Sequence, residues 1–177
     1  MIRSSVAQSI QLRPVSPDDE AFLFALYGST RAEEMTLVPW TVEQQQMFIA
    51  MQFSAQQEHY KKKYPSAQHH IIIFEGRPVG RLYVARLEQE IRIVDILLVP
   101  AERNAGIGSH LLTQLLDEGR HSGKPVRIYV ENNSPSLTLF RRLGFEALEQ
   151  HGIHLMLQFS QTLTQKPVKT FEMSQDS

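Results

Sequence analysis

Residues 103–108, Arg-Asn-Ala-Gly-Ile-Gly, form the segment whose residue types and spacing point most directly to chemistry. An apolar, β-branched run at residues 93–99 ends at Pro100 just before it, and leucines spaced by three and four positions follow it. This pattern predicts a strand, a turn and an amphipathic helix. Two glycines at such a junction let a ligand approach the backbone, and the N–H groups of a helix start attract an anion. We therefore expect a phosphate or pyrophosphate site here.

Two common phosphate-binding loops do not match this segment. A Walker A loop requires a Lys after its last glycine, but Ser109 and His110 follow Gly108. A dinucleotide-binding fingerprint requires a third glycine where this chain has Leu111, and an acidic residue about twenty residues later in a βαβ unit. The pattern that remains is Arg-x-x-Gly-x-Gly at the start of a helix.

A second segment, residues 131–145, follows a short buried run at residues 126–130. It is similar to the late segment Asn-x-x-Ala-x-x-Leu-Tyr-x-x-Leu-Gly-Phe of the GNAT superfamily of N-acetyltransferases, with Ser136 standing for Ala and Phe140 for Tyr. The positions that match are Asn133, Leu139, Leu143, Gly144 and Phe145. With the glycine segment upstream at a similar spacing, the chain resembles this superfamily over about residues 8 to 160.

The resemblance implies acetyl-CoA as cosubstrate. The backbone amides of the glycine segment would hold its pyrophosphate, and Arg103 would add a positive charge beside it. The pantetheine arm would pair with the backbone of the fourth strand where that strand splays from the fifth, and an N–H of the same strand would polarise the thioester carbonyl. The residues that the resemblance assigns to cofactor binding are Leu97, Leu98, Val99, Arg103, Asn104, Ala105, Gly106, Ile107, Gly108, Ser109, Asn133, Ser136 and Phe140.

Catalysis by direct attack needs a neutral amine. A lysine-like amine has a pKa of about 10.4, so a base or a water relay must take its proton. Asp95 and Glu131, on the predicted fourth and fifth strands, are the candidate bases, and a structural carboxylate is the alternative for each. A bulge is common in the fourth strand of this family, so the face that Asp95 occupies stays open.

Phe140 departs from the family at the position of a Tyr that is thought to protonate the departing thiolate. A thiol has a pKa of about 8.5, which makes a thiolate a tolerable leaving group near neutral pH. Tyr129 or a water molecule is another donor. Loss of this acid also agrees with a protein that binds CoA and turns over little.

The resemblance places the acceptor pocket at the first two helices and the link between them. Arg31 with the two glutamates that follow it would suit a zwitterionic acceptor, or belong to a solvated charged link. Met47, Phe48 and Met51 are expected in the core, and we expect no metal site. The candidate residues of the acceptor pocket are Arg31, Trp40, Gln56 and Tyr60.

The surrounding elements predict an α/β chain with a mixed, largely antiparallel sheet flanked by helices. Their order, β-α-α-β-β-β-α-β-α-β-β, matches the GNAT fold. The first helix is predicted to end near Gly28, and the second to begin at a capping box, Thr41 to Gln44, and to end near Tyr64. A short late helix is expected from Pro135, capped by Ser134.

Length and composition bound the function. The 177 residues, 42% hydrophobic and 21% charged, predict one GNAT-like domain over residues 1–160 with a polar tail at 161–177. The net charge of −1 argues against nucleic acid as partner, and the absence of cysteine excludes disulfides, thiolate metal sites and a cysteine nucleophile. With no long apolar run and no signal-peptide pattern, we expect a cytoplasmic protein that does not bind membranes.

Two functions stay open at this stage. The first is an N-acetyltransferase that moves the acetyl group of acetyl-CoA to a primary amine, on a small molecule or a peptide, in a ternary complex. The second is an acyl-CoA-binding sensor or regulatory protein with little turnover. A nucleotide-binding module is disfavoured by the missing Lys and third glycine, and a homodimer is compatible with the resemblance.

Overall fold

The computed structural model describes residue 7 and residues 9–160, so the predicted tail at 161–177 lies outside the described residues. The strands are Ile10–Pro14 (β1), Gln68–Phe74 (β2), Arg77–Arg86 (β3), Ile91–Leu98 (β4), Val126–Glu131 (β5), Glu146–His151 (β6) and His154–Phe159 (β7). The helices are Glu20–Thr36 (α1), Val42–Lys63 (α2), Ile107–Ser122 (α3) and Leu137–Arg142 (α4), with 3-10 turns at Pro17–Asp19 and Pro100–Glu102.

The seven strands form one sheet in the order β1-β2-β3-β4-β5-β7-β6. Neighbouring strands run antiparallel except for β4 and β5, which are parallel and are joined through α3. The predicted element order and the mixed, largely antiparallel sheet are confirmed. The parallel pair matters because a parallel connection needs a long crossover, and this one carries the glycine segment at its start.

Each face of the sheet has its own apolar core. On one face, α3 and α4 cover the larger core, in which Ile107, Leu112 and Val126 are fully buried. On the other face, α1 and α2 cover a smaller core formed by Leu23, Tyr27, Phe53 and Ile71. The larger core anchors the helix that carries the glycine segment, whereas the second face leaves room for polar groups under α2.

A β-bulge at Val94 changes the phase of β4. Tyr83 of β3 pairs with Asp95 and the next residue of β3, Val84, pairs with Ile93, so Val94 has no partner across the strands. The residue that follows the bulge therefore points to the opposite face from the one that simple alternation gives. Asp95 lies under α2 and not in the α3 core.

The apolar residues of β4 confirm this phase change. Ile91 and Ile93 belong to the α3 core before the bulge, and Ile96 and Leu98 pack against the same core after it. Odd positions thus face α3 in the first half of the strand and even positions in the second. The bulge resolves which face Asp95 occupies, which the sequence left open.

Helix α1 continues to Thr36, so the predicted end near Gly28 is wrong. A glycine inside a helix costs about 1 kcal/mol relative to alanine. Here buried Tyr27 and Met35 lie on either side of it and hold the helix in place. A Cβ at Gly28 would meet only Ile49 of α2, at 3.9 Å, so the two helices pack closely at this point.

Two other helix predictions have different outcomes. The capping box of α2 is confirmed, because Thr41 Oγ1 accepts from the Gln44 N–H at 3.2 Å and Gln44 Oε1 accepts from the Thr41 N–H at 3.0 Å. Helix α4 begins at Leu137 with Ser136 as its N-cap, and not at Pro135 with Ser134. The Ser134 hydroxyl instead contacts the Ser136 hydroxyl at 2.7 Å, in a turn that precedes the helix.

The placement of Met47 and Met51 in the core is wrong. Their side chains are 74% and 63% exposed, because α2 packs on the rest of the chain through a different stripe that includes Ile49 and Phe53. Phe48 is half-buried and packs on Trp40 with ring centroids 5.1 Å apart. The apolar character of a helical residue therefore predicts that it is buried only when the buried face of the helix is already known.

Candidate functional site

The glycine segment leaves the start of α3 without a side-chain cap. Gly106 is the N-cap residue with φ 87° and ψ 0°, a left-handed conformation that favours glycine, and no side chain caps this end of the helix. A Cβ at Gly106 would meet no atom within 4 Å. Asn104 is also left-handed, with φ 61°. The first amides of the helix therefore face open space, in the arrangement that binds a phosphate.

Two arginines lie beside this helix start. Arg103 Nε donates to the Leu98 carbonyl at 3.2 Å, so its side chain folds back along the end of β4. Arg142, at the end of α4, donates from Nη2 to Ser109 Oγ at 3.3 Å. Sequence reasoning missed Arg142. Its position after the second segment gave no sign that α4 ends against the first turn of α3.

β4 and β5 pair only through residues 91–93 and 126–128, and beyond these pairs the two strands diverge. Val99 donates its N–H to Val79 on the β3 side. Because backbone groups alternate along a strand, the N–H groups of Ile96 and Leu98 face the opposite side, toward the opening between β4 and β5. Of the three residues expected to meet the pantetheine arm, Leu98 therefore presents its backbone to the opening, while Leu97 and Val99 face β3.

A cavity of about 470 Å³ lies on the α1 and α2 face of the sheet, at the divergence of β4 and β5. Its volume is in the range of small-molecule sites. Arg31, Gln56 and Tyr60 of the expected acceptor pocket line it, together with Glu131. Trp40 lies elsewhere, beside Gln44, Met47 and Phe48 in a separate shallow cleft of about 240 Å³.

Several cavity residues were missed by sequence reasoning. The alternation along β5 places Arg127, Tyr129 and Glu131 on the α2 face, and this period of two was readable from the sequence. The contribution of β6 and β7 was not, because it depends on β7 inserting between β5 and β6. The cavity residues that were not expected are Lys63, Tyr64, Arg92, Ile93, Val94, His151 and His154.

Asp95 forms an ion pair with a fully buried arginine, Arg81. The Asp95 carboxylate accepts from Arg81 Nε at 3.0 Å and also from Nη2. Gln56 and Gln57 of α2 accept from two further guanidinium N–H groups at 2.8 Å and 3.2 Å. The network joins β3, β4 and α2, and it gives Asp95 a structural partner on the cavity side of the sheet.

Glu131 is placed differently. It ends β5 on the cavity wall with its side chain 36% exposed, and Oε1 lies 3.9 Å from Arg31 Nη1. Arg31 is bound more closely by Glu34, at 3.0 Å. The Glu131 carboxylate is thus accessible from the cavity and only loosely paired.

Tyr60 is the most perturbed titratable group of the cavity wall. Burial, reinforced by the nearby Asp95 carboxylate, raises the pKa of its hydroxyl well above the usual value. Its ring packs edge-on against Tyr83, with centroids 5.7 Å apart. Tyr60 therefore keeps its proton across the physiological range, so its hydroxyl can donate or accept a hydrogen bond but is not a phenolate base.

The residues of the second segment lie at α4. Phe140 is 2% exposed and packs edge-on against Phe145, with ring centroids 5.2 Å apart. Ser136 occupies the N-cap position of α4 without a side-chain capping hydrogen bond, and Asn133 is exposed in the preceding turn. Phe140 is therefore a core residue beside α3, with no contribution to the wall of the cavity.

We expect the stability of the protein to fall between about pH 6.5 and about pH 4 because of His69. Burial, followed by the nearby Arg81 charge, lowers the pKa of His69 to about 4, from about 6.5 in the unfolded chain. In this window the unfolded state binds a proton that the folded state does not, so the free energy of unfolding decreases as the pH falls. In urea unfolding, the free energy of unfolding of a His69→Phe variant should depend less steeply on pH between about pH 4 and about pH 6.5.

The pKa of His70 is also lowered, by burial and by the Arg86 charge. The slope should therefore decrease further in the His69→Phe, His70→Gln double variant. A His69→Phe variant with the same pH dependence as the original protein would contradict this assignment.

Over residue 7 and residues 9–160, no group of three or more His, Asp or Glu side chains is placed to hold a metal ion. In the same part of the chain, no helix combines the length and apolar character needed to cross a membrane.

Comparisons with known proteins agree with this architecture. The profile of the Acetyltransferase (GNAT) family matches residues 30–145. Mycothiol acetyltransferase of Saccharomonospora viridis is 32% identical over 93 residues, which cover 51% of this chain and 26% of that protein. The chain thus spans about a quarter of the length of this curated relative.

Solved structures share the fold. The PaiA N-acetyltransferase from Thermoplasma acidophilum in complex with coenzyme A superposes with a TM-score of 0.65 at 16% identity, covering 86% of this chain and 99% of that one. A GNAT family acetyltransferase from Elizabethkingia anophelis with acetyl-CoA bound gives a TM-score of 0.53 at 16% identity, with 86% and 98% covered. The family profile spans well over half of the sequence and includes both α3 and the divergence of β4 and β5. The chain belongs to the GNAT family of acetyltransferases, and so to a family of acyltransferase enzymes.

Proposed function

We propose that this protein transfers the acetyl group of acetyl-CoA to a primary amine by direct attack in a ternary complex. The observation that carries the proposal is the divergence of β4 from β5 after residues 91–93 and 126–128. The uncapped start of α3 follows one end of this opening, and the cavity lies at its α2 face. A cosubstrate held at α3 could thus meet an acceptor held in the cavity.

The chemistry of the α3 start supports a CoA pyrophosphate as its ligand. The amides at Gly106, Ile107, Gly108 and Ser109 lie at the positive end of the helix dipole, and the open space at Gly106 lets a phosphate approach the backbone. Arg142 adds a cation next to Ser109. The pantetheine arm would pair with the edge of β4 that faces the opening, through the N–H groups of Ile96 and Leu98, since the Leu98 carbonyl accepts from Arg103 Nε. One of these N–H groups would polarise the thioester carbonyl.

Glu131 is the proposed base of this reaction. It accepts a proton from the bound ammonium group, directly or through water, and the neutral nitrogen attacks the thioester carbonyl carbon. The carbon–sulfur bond then breaks, CoA leaves as a thiolate, and the second proton of the attacking nitrogen passes to that thiolate or to water, which leaves the neutral amide. Asp95 is the weaker candidate, because its carboxylate is paired with the buried Arg81 and does not line the cavity.

The leaving thiolate needs no acid from α4. A thiol has a pKa of about 8.5, so the thiolate departs near neutral pH without obligatory protonation. Tyr129, 39% exposed on the cavity wall, is the proposed donor when one is used. Phe140 has no proton to donate and is buried beside Phe145.

The same observation on Phe140 favours a second candidate function, an acyl-CoA-binding sensor with little turnover. Both functions require CoA binding at α3, and only the first requires an amine in the cavity. Release of free thiol from acetyl-CoA, measured with a panel of primary amines, separates them. Release that depends on the amine supports transfer, whereas tight CoA binding without release supports the sensor.

Ligand-dependent thermal unfolding tests the cosubstrate. We expect acetyl-CoA and CoA to raise the melting temperature, and ATP and NAD to leave it unchanged. A ligand at 100-fold its dissociation constant stabilises the folded state by about 2.7 kcal/mol, which corresponds to roughly 5–10 °C for a chain of this size. A Gly106→Glu variant should lose the shift, because its carboxylate occupies the phosphate position.

Gly123 provides a matched control at the other end of the same helix. It is also left-handed, with φ 68°, and a Cβ there would also meet no atom within 4 Å. A Gly123→Glu variant carries a similar backbone strain and the same charge change, but it lies a full helix away from the proposed phosphate site. It should retain the shift with CoA. An equal shift with ATP, or no shift with either CoA ligand, would contradict the proposed cosubstrate.

A further inference from the structure

The cavity that accepts the amine has an unusual charge pattern for an amine site. Three cationic side chains from three different elements line it, Arg31 of α1, Lys63 of α2 and Arg92 of β4. The only carboxylate among its described lining residues is Glu131. A site built for a diamine or polyamine would place carboxylates around the substrate. This wall does the opposite.

The cations of the wall share their carboxylates. Glu90 binds Arg92 at 2.7 Å and also Arg127 at 2.6 Å, so one buried carboxylate serves two guanidinium groups. On the other side of the cavity, Arg31 lies between Glu34 at 3.0 Å and Glu131 at 3.9 Å. In these two clusters, three arginines (Arg31, Arg92 and Arg127) therefore face three glutamates (Glu34, Glu90 and Glu131), so their charges balance.

Among the three cationic residues that line the cavity, Lys63 is the one without a carboxylate counter-ion within the residues that the structure describes. No carboxylate lies within ion-pair distance of its ammonium group in the described part of the chain. The Nζ atom instead lies 5.5 Å from the centre of the Tyr64 ring and 5.8 Å from that of the Tyr129 ring, both on the cavity wall. Its neighbour Lys62 is different, because it pairs with Glu58 at 3.3 Å on an exposed part of α2.

The cavity wall therefore presents one ammonium group, that of Lys63, with no carboxylate partner among the described residues, and one loosely paired carboxylate, that of Glu131. An anionic group of a ligand would pair with Lys63, whose ammonium group lies near two aromatic rings of the wall. A nearby positive charge also favours the neutral, nucleophilic form of a bound amine.

Resting on the acetyl transfer proposed above, we infer that the acceptor is a small amine that also carries a carboxylate, with the carboxylate bound by Lys63 and the amine directed to Glu131. The acceptor class is thus that of amino acids and related amino carboxylates. Diamines, polyamines and neutral amines are excluded as preferred substrates, because each would leave Lys63 unpaired and the first two would add positive charge.

Matched probes test this inference. Amino acids, their C-terminal amides, and the set of β-alanine, β-alaninamide and 1,3-diaminopropane are compared as acceptors by release of free thiol from acetyl-CoA. We expect kcat/KM for each accepted acid to exceed that for its amide at least ten-fold. A Lys63→Met variant should reduce this ratio to near one, whereas a Lys62→Met variant should keep it. Amides or diamines that react as well as the acids would overturn the inference and leave the acetyltransferase function intact.

If no amine is acetylated, a binding measurement still tests whether the cavity recognises a carboxylate. N-acetyl amino acids and their amides, the corresponding products, are tested for a further rise in melting temperature on the CoA complex. We expect the melting temperature to rise with at least one N-acetyl amino acid and not with its amide, and we expect the Lys63→Met variant to lose this rise. Equal effects of acids and amides, or no effect of any acid, would overturn it. Failure of the acetyl transfer itself appears separately, as absence of thiol release with every amine.

Discussion

Replacing Asp95 with Asn is expected to lower the free energy of unfolding by about 3–5 kcal/mol, the cost of removing one partner from a buried ion pair. Arg81 is fully buried, and Asp95 is the one anionic partner that the structure records for it. The amide oxygens of Gln56 and Gln57 accept hydrogen bonds from Arg81 but carry no charge. The variant should melt on the order of 10 °C lower.

A matched control is the exposed pair of Lys62 and Glu58, whose side chains are 77% and 70% exposed. A Glu58→Gln variant should change the stability by less than about 1 kcal/mol. Replacing both buried partners, as Arg81→Met with Asp95→Leu, should recover much of the loss, because no charge then remains buried. An Asp95→Asn variant as stable as the original protein would show that the pair has no structural role.

Glu131→Gln is expected to lower kcat about 100-fold at neutral pH, the lower end of the effect of a general base. The glutamine keeps the size of the side chain but does not accept the amine proton. The shift in melting temperature with acetyl-CoA should persist, since Glu131 lies on the cavity wall and the proposed pyrophosphate site lies at α3. The rate of the variant should rise as the pH approaches the pKa of the amine, which is about 10.4 for a lysine-like amine, because the substrate then loses its proton unaided.

Two comparisons make this result specific. Glu149, bound to His151 at 2.6 Å and exposed, does not line the cavity, and Glu149→Gln should leave kcat unchanged. Asp95→Asn, assayed well below its melting temperature, should retain most of the rate if Asp95 is structural. If Asp95→Asn loses the rate and Glu131→Gln keeps it, the two carboxylates must exchange roles.

The local signals in the sequence predicted most of the elements that position the proposed cosubstrate site. The glycines at residues 106 and 108, the apolar strand before them and the leucines after them predicted the strand, turn and helix that the structure contains. The capping box at Thr41 located the start of α2. Each of these features depends on residues within a few positions of one another, where backbone conformation and side-chain capping are decided.

The errors arose where distant residues decide the outcome. Gly28 is inside α1 because α2 packs against it, although glycine alone favours an end. Met47 and Met51 are exposed because only one stripe of α2 meets the sheet. Trp40 joined Phe48 in a cleft of its own instead of the cavity. In each case helix propensity or hydrophobicity was read correctly, but the packing partner lay far along the chain.

The sequence by itself determined the order of the elements, the family and the segment expected to bind a phosphate, because these depend on short-range patterns. Tertiary structure alone decided the chemistry of the cavity. The bulge at Val94 turned Asp95 toward the buried Arg81, and the opening of β4 from β5 left Glu131 facing the cavity. Lys63 lines the cavity because the end of α2 lies over Tyr129 of β5. Charge pairing depends on distance in space, and sequence separation carries little information about that distance.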